Sequence, residues 1–278
     1  MFYHIKELQY PAKPDRPDPV FARKLQEVLG GQFGEISVAM QYLFQGFNVR
    51  MDGKYKDLLM DVGTEELAHI EMLATMIARL LDNAPPGQLE EAANDPIMAA
   101  IIGGMNPQHA IVNGLGAAPK DSNGNSWSAD YIIASGNLLA DFRANLNAES
   151  QGRLQVARLY EMTSDRGVKD MLSFLIARDT MHQNMWLAAI EELEAKEGVV
   201  VPSTFPRHLE KQQVAYDFYN FSQGEASAEG RWAHGPSIDG CSNFCYVQNP
   251  PAYGGIPHLN PAPAYTFDTN FHIPPSLC

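Results

Sequence analysis

Residues 64–72 read TEELAHIEM and lie within a segment whose apolar residues repeat with helical spacing. Residues alternately four and three apart form one stripe along this segment: Tyr55, Leu59, Val62, Glu66, His69, Leu73, Met76 and Leu80. Glu66 and His69 interrupt the stripe at its centre, where a buried helix face would carry leucine. Burying both groups without partners would cost several kcal/mol, so either a metal ion or satisfied hydrogen bonds must compensate them.

A later segment repeats this pattern around residue 180. Its stripe also carries an acid and a histidine three residues apart: Leu172, Leu175, Asp179, His182, Trp186, Ala189 and Leu193. Glu149 occupies the apolar stripe of the segment before it, and Glu35 occupies that of the first helical segment. Each of four helical segments therefore directs one carboxylate inward, and two of them add a histidine.

Two glutamates from two helices and an acid-x-x-His pair from each of two others form the ligand set of di-iron and dimanganese carboxylate bundles. The carboxylates would offset two divalent charges, the imidazoles would complete the coordination, and Glu66 would bridge the ions. Oxygen-rich ligands with two nitrogens suit manganese or iron. Glu65 competes with Glu66, because it also precedes His69 by one helical turn, but it lies on the flank of the stripe. Asp179 is one methylene shorter than the expected glutamate, so it either binds metal or, beside the ligands, serves as a base or orients a histidine.

The predicted fold class is all-α. Four long helical segments are predicted at about residues 18–49, 54–81, 128–162 and 166–196, with a break or bend in the first at Gly30 and Gly31. More than forty residues separate the second segment from the third, and a crossover of this length is typical of a ferritin-like four-helix bundle. We therefore expect a bundle domain at residues 1–198 that contains the dinuclear site. Residues 199–278 are rich in proline and aromatic residues, which predicts an extended, irregular tail that wraps the bundle or a neighbouring subunit.

Composition excludes several partners. The chain has 278 residues, 20 Lys and Arg, 33 Asp and Glu, and a net charge of −13, which argues against nucleic acid or an anionic membrane. The N-terminal residues lack an apolar signal region, and no apolar run reaches bilayer length. Three cysteines without CxxC pairs predict neither a disulfide framework nor a thiolate metal site. Together these features favour a cytoplasmic protein.

Longer motifs carry a resemblance to a known family. They are MFYH at the N-terminus, GEIS around Glu35, EELAHIEM, HAIVNGLGAAP followed by SNGNSW, AES around Glu149, and KDMLSFLIARDTMHQN around His182. With these motifs and its extended tail, the chain resembles the manganese catalases, the non-haem catalases with a dinuclear manganese centre. The resemblance covers essentially the whole chain.

The resemblance implies that hydrogen peroxide is the substrate and that it is disproportionated to water and oxygen. It also implies two manganese ions per subunit, a homohexamer with contacts through the tail, and Tyr42 as a hydrogen-bond partner of a ligand glutamate. The metal ligands that it implies are Glu35, Glu66, His69, Glu149 and His182. A bridging solvent molecule, Glu66 or Asp179 would carry the protons of the reaction. Some members have an arginine and a glutamate where this chain has Ala148 and Asp179. The residues around the ligands and the access channel of those members therefore cannot be assigned to this chain.

Two other functions use the same kind of bundle. One is an iron ferroxidase or storage protein, but such a protein needs no Pro-rich extension of eighty residues. The other is a structural coat component with a vestigial metal site, and the complete ligand set argues against a loss of chemistry. The ligands alone do not distinguish manganese from iron, because both metals bind the same oxygen and nitrogen atoms.

A second metal, calcium, is predicted to tie the tail to the bundle. Asp57 and Asp61 are four residues apart on the polar face of the second helical segment, where they would repel each other. Asn220, Ser222 and Gly224 alternate along an irregular segment of the tail and offer neutral oxygen atoms. Two carboxylates with several neutral oxygens suit calcium. The resemblance agrees, since some manganese catalases bind calcium at a site of this composition between subunits.

Overall fold

A computed structural model describes residues 3–82, 108–229 and 233–267. Within the chain, two compact units span Met1–Pro202 and Ser203–Cys278. Residues 83–107, which form much of the predicted crossover, lie outside the described residues, as do residues 268–278 of the predicted tail.

The first unit is built from long helices that pack side by side. In the described residues its helices are α1 Pro19–Gly30, α2 Glu35–Asn48, α3 Gly53–Leu80, α4 Gln108–Ile111, α5 Leu138–Glu161 and α6 Arg166–Glu197. Helix α2 packs along α3, and α5 packs along α6. Contacts of α2 with α5 and of α3 with α6 join these two pairs into a four-helix bundle.

The predicted break in the first helical segment is confirmed. Helix α1 ends at Gly30, and the chain turns before α2 begins at Glu35. Gly34 is required in this turn, because a Cβ atom there would lie 2.6 Å from the carbonyl oxygen of Val28. The break makes Glu35 the first residue of α2 and leaves its side chain buried.

The predicted start of the third long helix near Ser128 is wrong. Ser128 caps only a short 3-10 turn, Ala129–Tyr131, and α5 begins ten positions later at Leu138. The intervening loop contains Gly136 with a positive φ of 82°, a conformation that interrupts helical geometry. Asn137 then caps α5, because its side-chain oxygen accepts a 3.0 Å hydrogen bond from the amide of Ala140.

Two apolar clusters fill the bundle, one towards each end. One contains Leu73, Met76 and Leu80 of α3, and the other contains Tyr55, Leu59 and Val62 of the same helix. Helix α6 contributes to both clusters in the same way, with residues 168–175 in the first and 186–193 in the second. The polar residues in the middle of each stripe therefore lie between two apolar layers.

The second unit is mostly irregular, as predicted, but its described residues include a small sheet. Its strands are β1 Asp217–Tyr219, β2 Gly235–Pro236 and β3 Asn243–Val247, in the order β1-β3-β2. Strand β1 pairs with β3 in parallel, and β2 pairs with β3 antiparallel. In the described part of the chain, every helix is too short or too polar to cross a lipid bilayer.

Candidate metal centre

The interrupted stripes converge in the middle of the bundle. Each of the four helices contributes at least one ionisable side chain, and all of these side chains are buried: Glu35 from α2, Glu66 and His69 from α3, Glu149 from α5, and Asp179 and His182 from α6. Both histidines are fully buried, and Glu66 is 1% exposed. Helical spacing thus gathers ionisable groups where a bundle core would otherwise be apolar.

Five of these residues form two overlapping groups of potential metal ligands. One group is Glu35, Glu66 and His69, and the other is Glu66, Glu149 and His182; within each, the ligand atoms lie within 4.8 Å of one another. Glu66 belongs to both groups. Its Oε2 lies 2.7 Å from Nδ1 of His69, and its Oε1 lies 2.8 Å from Nδ1 of His182. One carboxylate therefore presents one oxygen to each histidine.

The contact between Glu66 and His182 is not a hydrogen bond. Although Nδ1 of His182 and Oε1 of Glu66 are 2.8 Å apart, both atoms are buried without a hydrogen-bond partner among the described residues. Nε2 of His182 instead forms a 3.1 Å hydrogen bond with Glu65. When the proton of His182 is on Nε2, its Nδ1 carries a lone pair. This lone pair faces the carboxylates of Glu66 and Glu149, which are also acceptors and have no proton to donate. Converging lone pairs fit a bound cation and leave a buried site unfavourable without one.

Burial and mutual repulsion also fit a cation at this position. Burial, followed by the negative charge of Glu66, raises the pKa of Glu35 well above its ordinary value. The same two causes, in the same order, raise the pKa of Glu149. Burial and repulsion thus disfavour the charged forms of Glu35 and Glu149, and divalent cations at this position would offset both effects. The oxygen-rich donor set with two imidazole nitrogens suits manganese or iron.

Tyr42 and Asp179 lie beside these groups. The hydroxyl of Tyr42 donates a 2.6 Å hydrogen bond to Oε1 of Glu149. Asp179 belongs to neither ligand group. Burial, followed by the charges of Glu149 and Glu66, raises the pKa of Asp179 well above its ordinary value, so this side chain holds a proton more readily than an exposed aspartate.

Glu65 lies beside the two ligand groups, which agrees with its predicted position on the flank of the stripe. It joins neither ligand group and does not replace Glu66. Its carboxylate faces the Nε2 atoms of the two histidines, 3.1 Å from His182 and 3.7 Å from His69, and forms an ion pair with Arg178. Glu65 and Arg178 each precede a histidine of the site by four residues. In a helix this spacing places each of them next to its histidine, so it is the sequence signal for their position.

The residues proposed for calcium fall in both compact units. Asp57 and Asp61 are exposed on α3 in the first unit. Asn220 is buried in the second unit, where its Oδ1 accepts a 2.8 Å hydrogen bond from the amide of Ser222, and Gly224 is exposed with a φ of 99°.

Comparison with known proteins decides the family. A family model described as manganese containing catalase matches residues 1–277. The chain belongs to this family. Manganese catalases among its relatives include one from Bacillus subtilis, 67% identical over 269 residues that cover 97% of this chain and 98% of the relative. Another, from Lactiplantibacillus plantarum, is 50% identical over 263 residues that cover 94% and 96% of the two chains.

A solved structure supports the same conclusion. The fold is similar to that of KatB, a manganese catalase from Anabaena, with a TM-score of 0.70 and 30% identity over 90% of this chain and all of that one. The predicted all-α, ferritin-like fold is therefore confirmed. As a manganese catalase, the protein uses manganese to disproportionate hydrogen peroxide to water and oxygen. The predicted enzyme class is confirmed, and the iron-storage and coat-protein alternatives are not favoured.

Proposed function

We propose that the catalase reaction occurs at two manganese ions in each subunit, held by Glu35, Glu66, His69, Glu149 and His182. The observation that carries this proposal is the position of Glu66, which has one oxygen 2.7 Å from one histidine and the other 2.8 Å from the second. A carboxylate between two ligand groups can bridge two ions and hold them close enough to act together.

A bound manganese pair supplies two one-electron changes, which together match the two electrons that peroxide gives or takes. Oxidation of one peroxide molecule to oxygen releases two protons and two electrons, and reduction of a second molecule to two water molecules consumes them. Asp179 accepts and returns a proton at its carboxylate, a role that its raised pKa favours, and Glu66 is a second carrier. Tyr42 keeps the carboxylate of Glu149 in a fixed orientation through its 2.6 Å hydrogen bond.

Purified protein tests the proposed centre. It should release oxygen from hydrogen peroxide in an oxygen electrode, contain about two manganese ions per chain by elemental analysis, and lack the Soret absorption of haem. Reconstituting metal-free protein with manganese or with iron in parallel identifies the metal that supports turnover. Manganese-loaded protein that leaves peroxide intact would refute the proposed reaction centre.

We further propose that residues 1–198 form the catalytic domain and that residues 199–278 clasp a neighbouring subunit in a homohexamer. Large apolar side chains in this tail support the proposal, because Phe221, Ile238, Ile256 and Leu259 are each at least 82% exposed in the single chain. Contact with another subunit would remove them from water. Cys241 and Cys245 are free thiols, which fits the reducing cytoplasm as the place of action.

We also propose that calcium binds Asp57 and Asp61 together with neutral oxygen atoms of Asn220, Ser222 and Gly224. Support comes from the two aspartates, which are exposed one helical turn apart and repel each other. A hard divalent cation would offset this repulsion and fix the tail.

A further inference from the structure

The carboxylate of Glu65 lies on the opposite side of the two histidine rings from the ligand glutamates. Its Oε2 forms a 3.1 Å hydrogen bond with Nε2 of His182, and its Oε1 lies 3.7 Å from Nε2 of His69. The Nδ1 atoms of the same rings face Glu66. The two rings are nearly parallel, with centroids 5.8 Å apart and planes inclined by 28°. One side chain of α3 thus reaches the outer nitrogen of a histidine from its own helix and of one from α6.

The position of Glu65 determines which nitrogen of each ring is available to a metal. A neutral imidazole carries one proton, and the nitrogen without the proton is the one that binds metal. An acceptor beside Nε2 favours the proton there and leaves Nδ1 as the ligand atom. For His182 this arrangement is already present, because its Nε2 bonds to Glu65 and its Nδ1 has no hydrogen-bond partner in the described chain. His69 differs, because its Nδ1 forms a 2.7 Å hydrogen bond with Oε2 of Glu66, while its Nε2 is buried without a hydrogen-bond partner among the described residues and lies 3.7 Å from Oε1 of Glu65. A metal ion at Nδ1 would replace that bond and leave the proton on Nε2, facing Glu65.

We propose that Glu65 is a shared positioning residue of the metal centre, which accepts the Nε2 protons of both His69 and His182 and so presents both Nδ1 atoms to the manganese ions. This inference rests on the proposed ligand set and deepens it. Metal-binding histidines generally donate their second N–H to an acceptor that orients the ring. Here one carboxylate serves two rings from two helices.

Three further donors hold Glu65 in place. Arg178 donates from Nε to Oε1 at 2.6 Å and from Nη2 to Oε2 at 3.1 Å, a two-point contact that fixes both the plane and the charge of the carboxylate. Gln9 donates to Oε1 at 2.8 Å. Gln9 belongs to the N-terminal segment, which is anchored on α6 where Tyr10 stacks on Phe174 with ring centroids 4.4 Å apart. The N-terminal segment therefore supports the metal centre from outside the bundle.

Because of these contacts, Glu65→Gln tests directly whether Glu65 orients the two histidines. Both carboxylate oxygens accept hydrogen bonds, so an amide NH₂ group would meet a donor in either orientation. The size of the side chain is unchanged, whereas its ability to orient the histidines is lost. Glu71→Gln is the matched control, because Glu71 lies on the same helix and also contacts the N-terminal segment, through His4.

The measurement is manganese affinity of the full-length protein, obtained by titrating manganese-loaded protein with a competing chelator and counting the retained metal. We expect Glu65→Gln to weaken affinity by about 10- to 100-fold, the usual effect of losing such a partner, and Glu71→Gln to leave it unchanged. In the metal-free proteins, Glu65→Gln should lower the unfolding temperature only modestly, because the ion pair that it loses with Arg178 is partly exposed, and Glu71→Gln should leave that temperature unchanged. Glu65→Asp, which keeps the charge and both acceptor oxygens, should restore part of the affinity.

Two results would overturn the inference. The first is a Glu65→Gln variant that binds manganese within about twofold of the wild type, since such a variant shows no ordinary loss of a histidine partner. The second is a metal-free Glu65→Gln variant that unfolds at a much lower temperature while Glu65→Asp recovers no affinity, because Glu65 would then be only structural. A wild-type protein that binds no manganese would instead refute the proposed ligand set, so the two failures are distinguishable.

Discussion

The hydroxyl of Tyr42 in α2 donates a 2.6 Å hydrogen bond to Oε1 of Glu149 in α5. Both side chains are buried, and the same oxygen lies 3.5 Å from Nδ1 of His182. Burial, followed by the charge of Glu149, raises the pKa of Tyr42 well above its ordinary value, so the phenol remains a neutral donor. The bond therefore orients a proposed ligand without adding a charge.

Removing this hydroxyl should slow turnover more than it weakens metal binding. In Tyr42→Phe, Glu149 keeps its place in the helix but loses the donor that fixes its orientation. We expect manganese content to stay near that of the wild type and the turnover number to fall about tenfold, the effect of losing a hydrogen bond to a charged group. Elemental analysis and an oxygen electrode measure the two quantities.

Tyr55→Phe is the control for that variant. Tyr55 is also buried in the bundle and donates a 2.6 Å hydrogen bond to a glutamate, Glu192, which belongs to neither group of potential ligands. It should lose less stability than Tyr42→Phe, because water can reach the half-exposed Glu192, and it should keep full activity. Equal losses of activity in the two variants would show that the effect is general to buried tyrosines.

Replacing a ligand should empty the centre. Glu149→Ala removes a carboxylate and His182→Ala removes a nitrogen from one ligand group, so each variant should retain little manganese and no measurable catalase activity. Glu161→Ala, at an exposed position of the same helix as Glu149, should match the wild type. Either ligand variant with full metal content and activity would remove that residue from the ligand set. Metal analysis of all three variants shows whether Glu149 and His182 are ligands.

The sequence predicted the burial of three carboxylates more accurately than the start of α5. Glu35, Glu66 and Glu149 were placed on buried stripes because helical spacing repeats over many residues, and each is at most 6% exposed. The start of α5 was misplaced because Ser128 can cap any helical turn. The chain stays non-helical until Leu138 because Gly136 has a positive φ and because loop contacts, such as the 2.7 Å hydrogen bond from Ser135 to Asp141, hold the residues before α5.

The partners of the ligands were harder to predict. From its position beside the stripe, the sequence indicates Glu65 only as a competitor of Glu66. Its contacts with Arg178 and Gln9 join residues 113 and 56 positions apart in the chain. The four-residue spacing of Glu65 and Arg178 from the two histidines places them near the site, but their contact follows only once the fold brings α3 and α6 together.

Asp179 should make the metal-free protein sensitive to pH. Its pKa in the folded protein is raised well above the ordinary value of 3.8, so the folded chain keeps a proton that the unfolded chain releases. The folded state binds more protons, and its stability is therefore lost as pH rises from about 3.8 towards the raised pKa. Asp179→Asn should avoid this loss and be more stable than the wild type near neutral pH. Thermal unfolding of the metal-free wild type and variant across pH measures the difference.

The same substitution separates proton transfer from metal binding. If Asp179 handles protons, Asp179→Asn should keep its manganese and lose most of its turnover. A variant without manganese would place Asp179 among the ligands. Asp130→Asn, at an exposed position, should change neither quantity.

Removing the tail should disrupt assembly. A chain that ends at Pro202 keeps the whole first compact unit, including the hydrogen bond from Arg143 to the carbonyl of Val200. Because the proposed clasp is lost, we expect this chain to precipitate or to elute as a smaller species than the full-length protein in size-exclusion chromatography. A truncated monomer that remains soluble and active would show that the tail is dispensable for both assembly and catalysis.

The proposed calcium site links the tail to a measurable property of the intact enzyme. Asp57 and Asp61 are exposed one turn apart on α3, so without a cation they mildly destabilise the helix. A calcium-selective chelator should then lower the melting temperature or loosen the oligomer before any manganese is lost, because bound calcium stabilises only the assembled form. The double variant Asp57→Asn, Asp61→Asn should lose this response to the chelator and keep its catalase activity. Differential scanning calorimetry and size-exclusion chromatography with and without chelator measure the effect. If the double variant responds to the chelator just as the wild type does, the two aspartates are only surface charge and the calcium site is wrong.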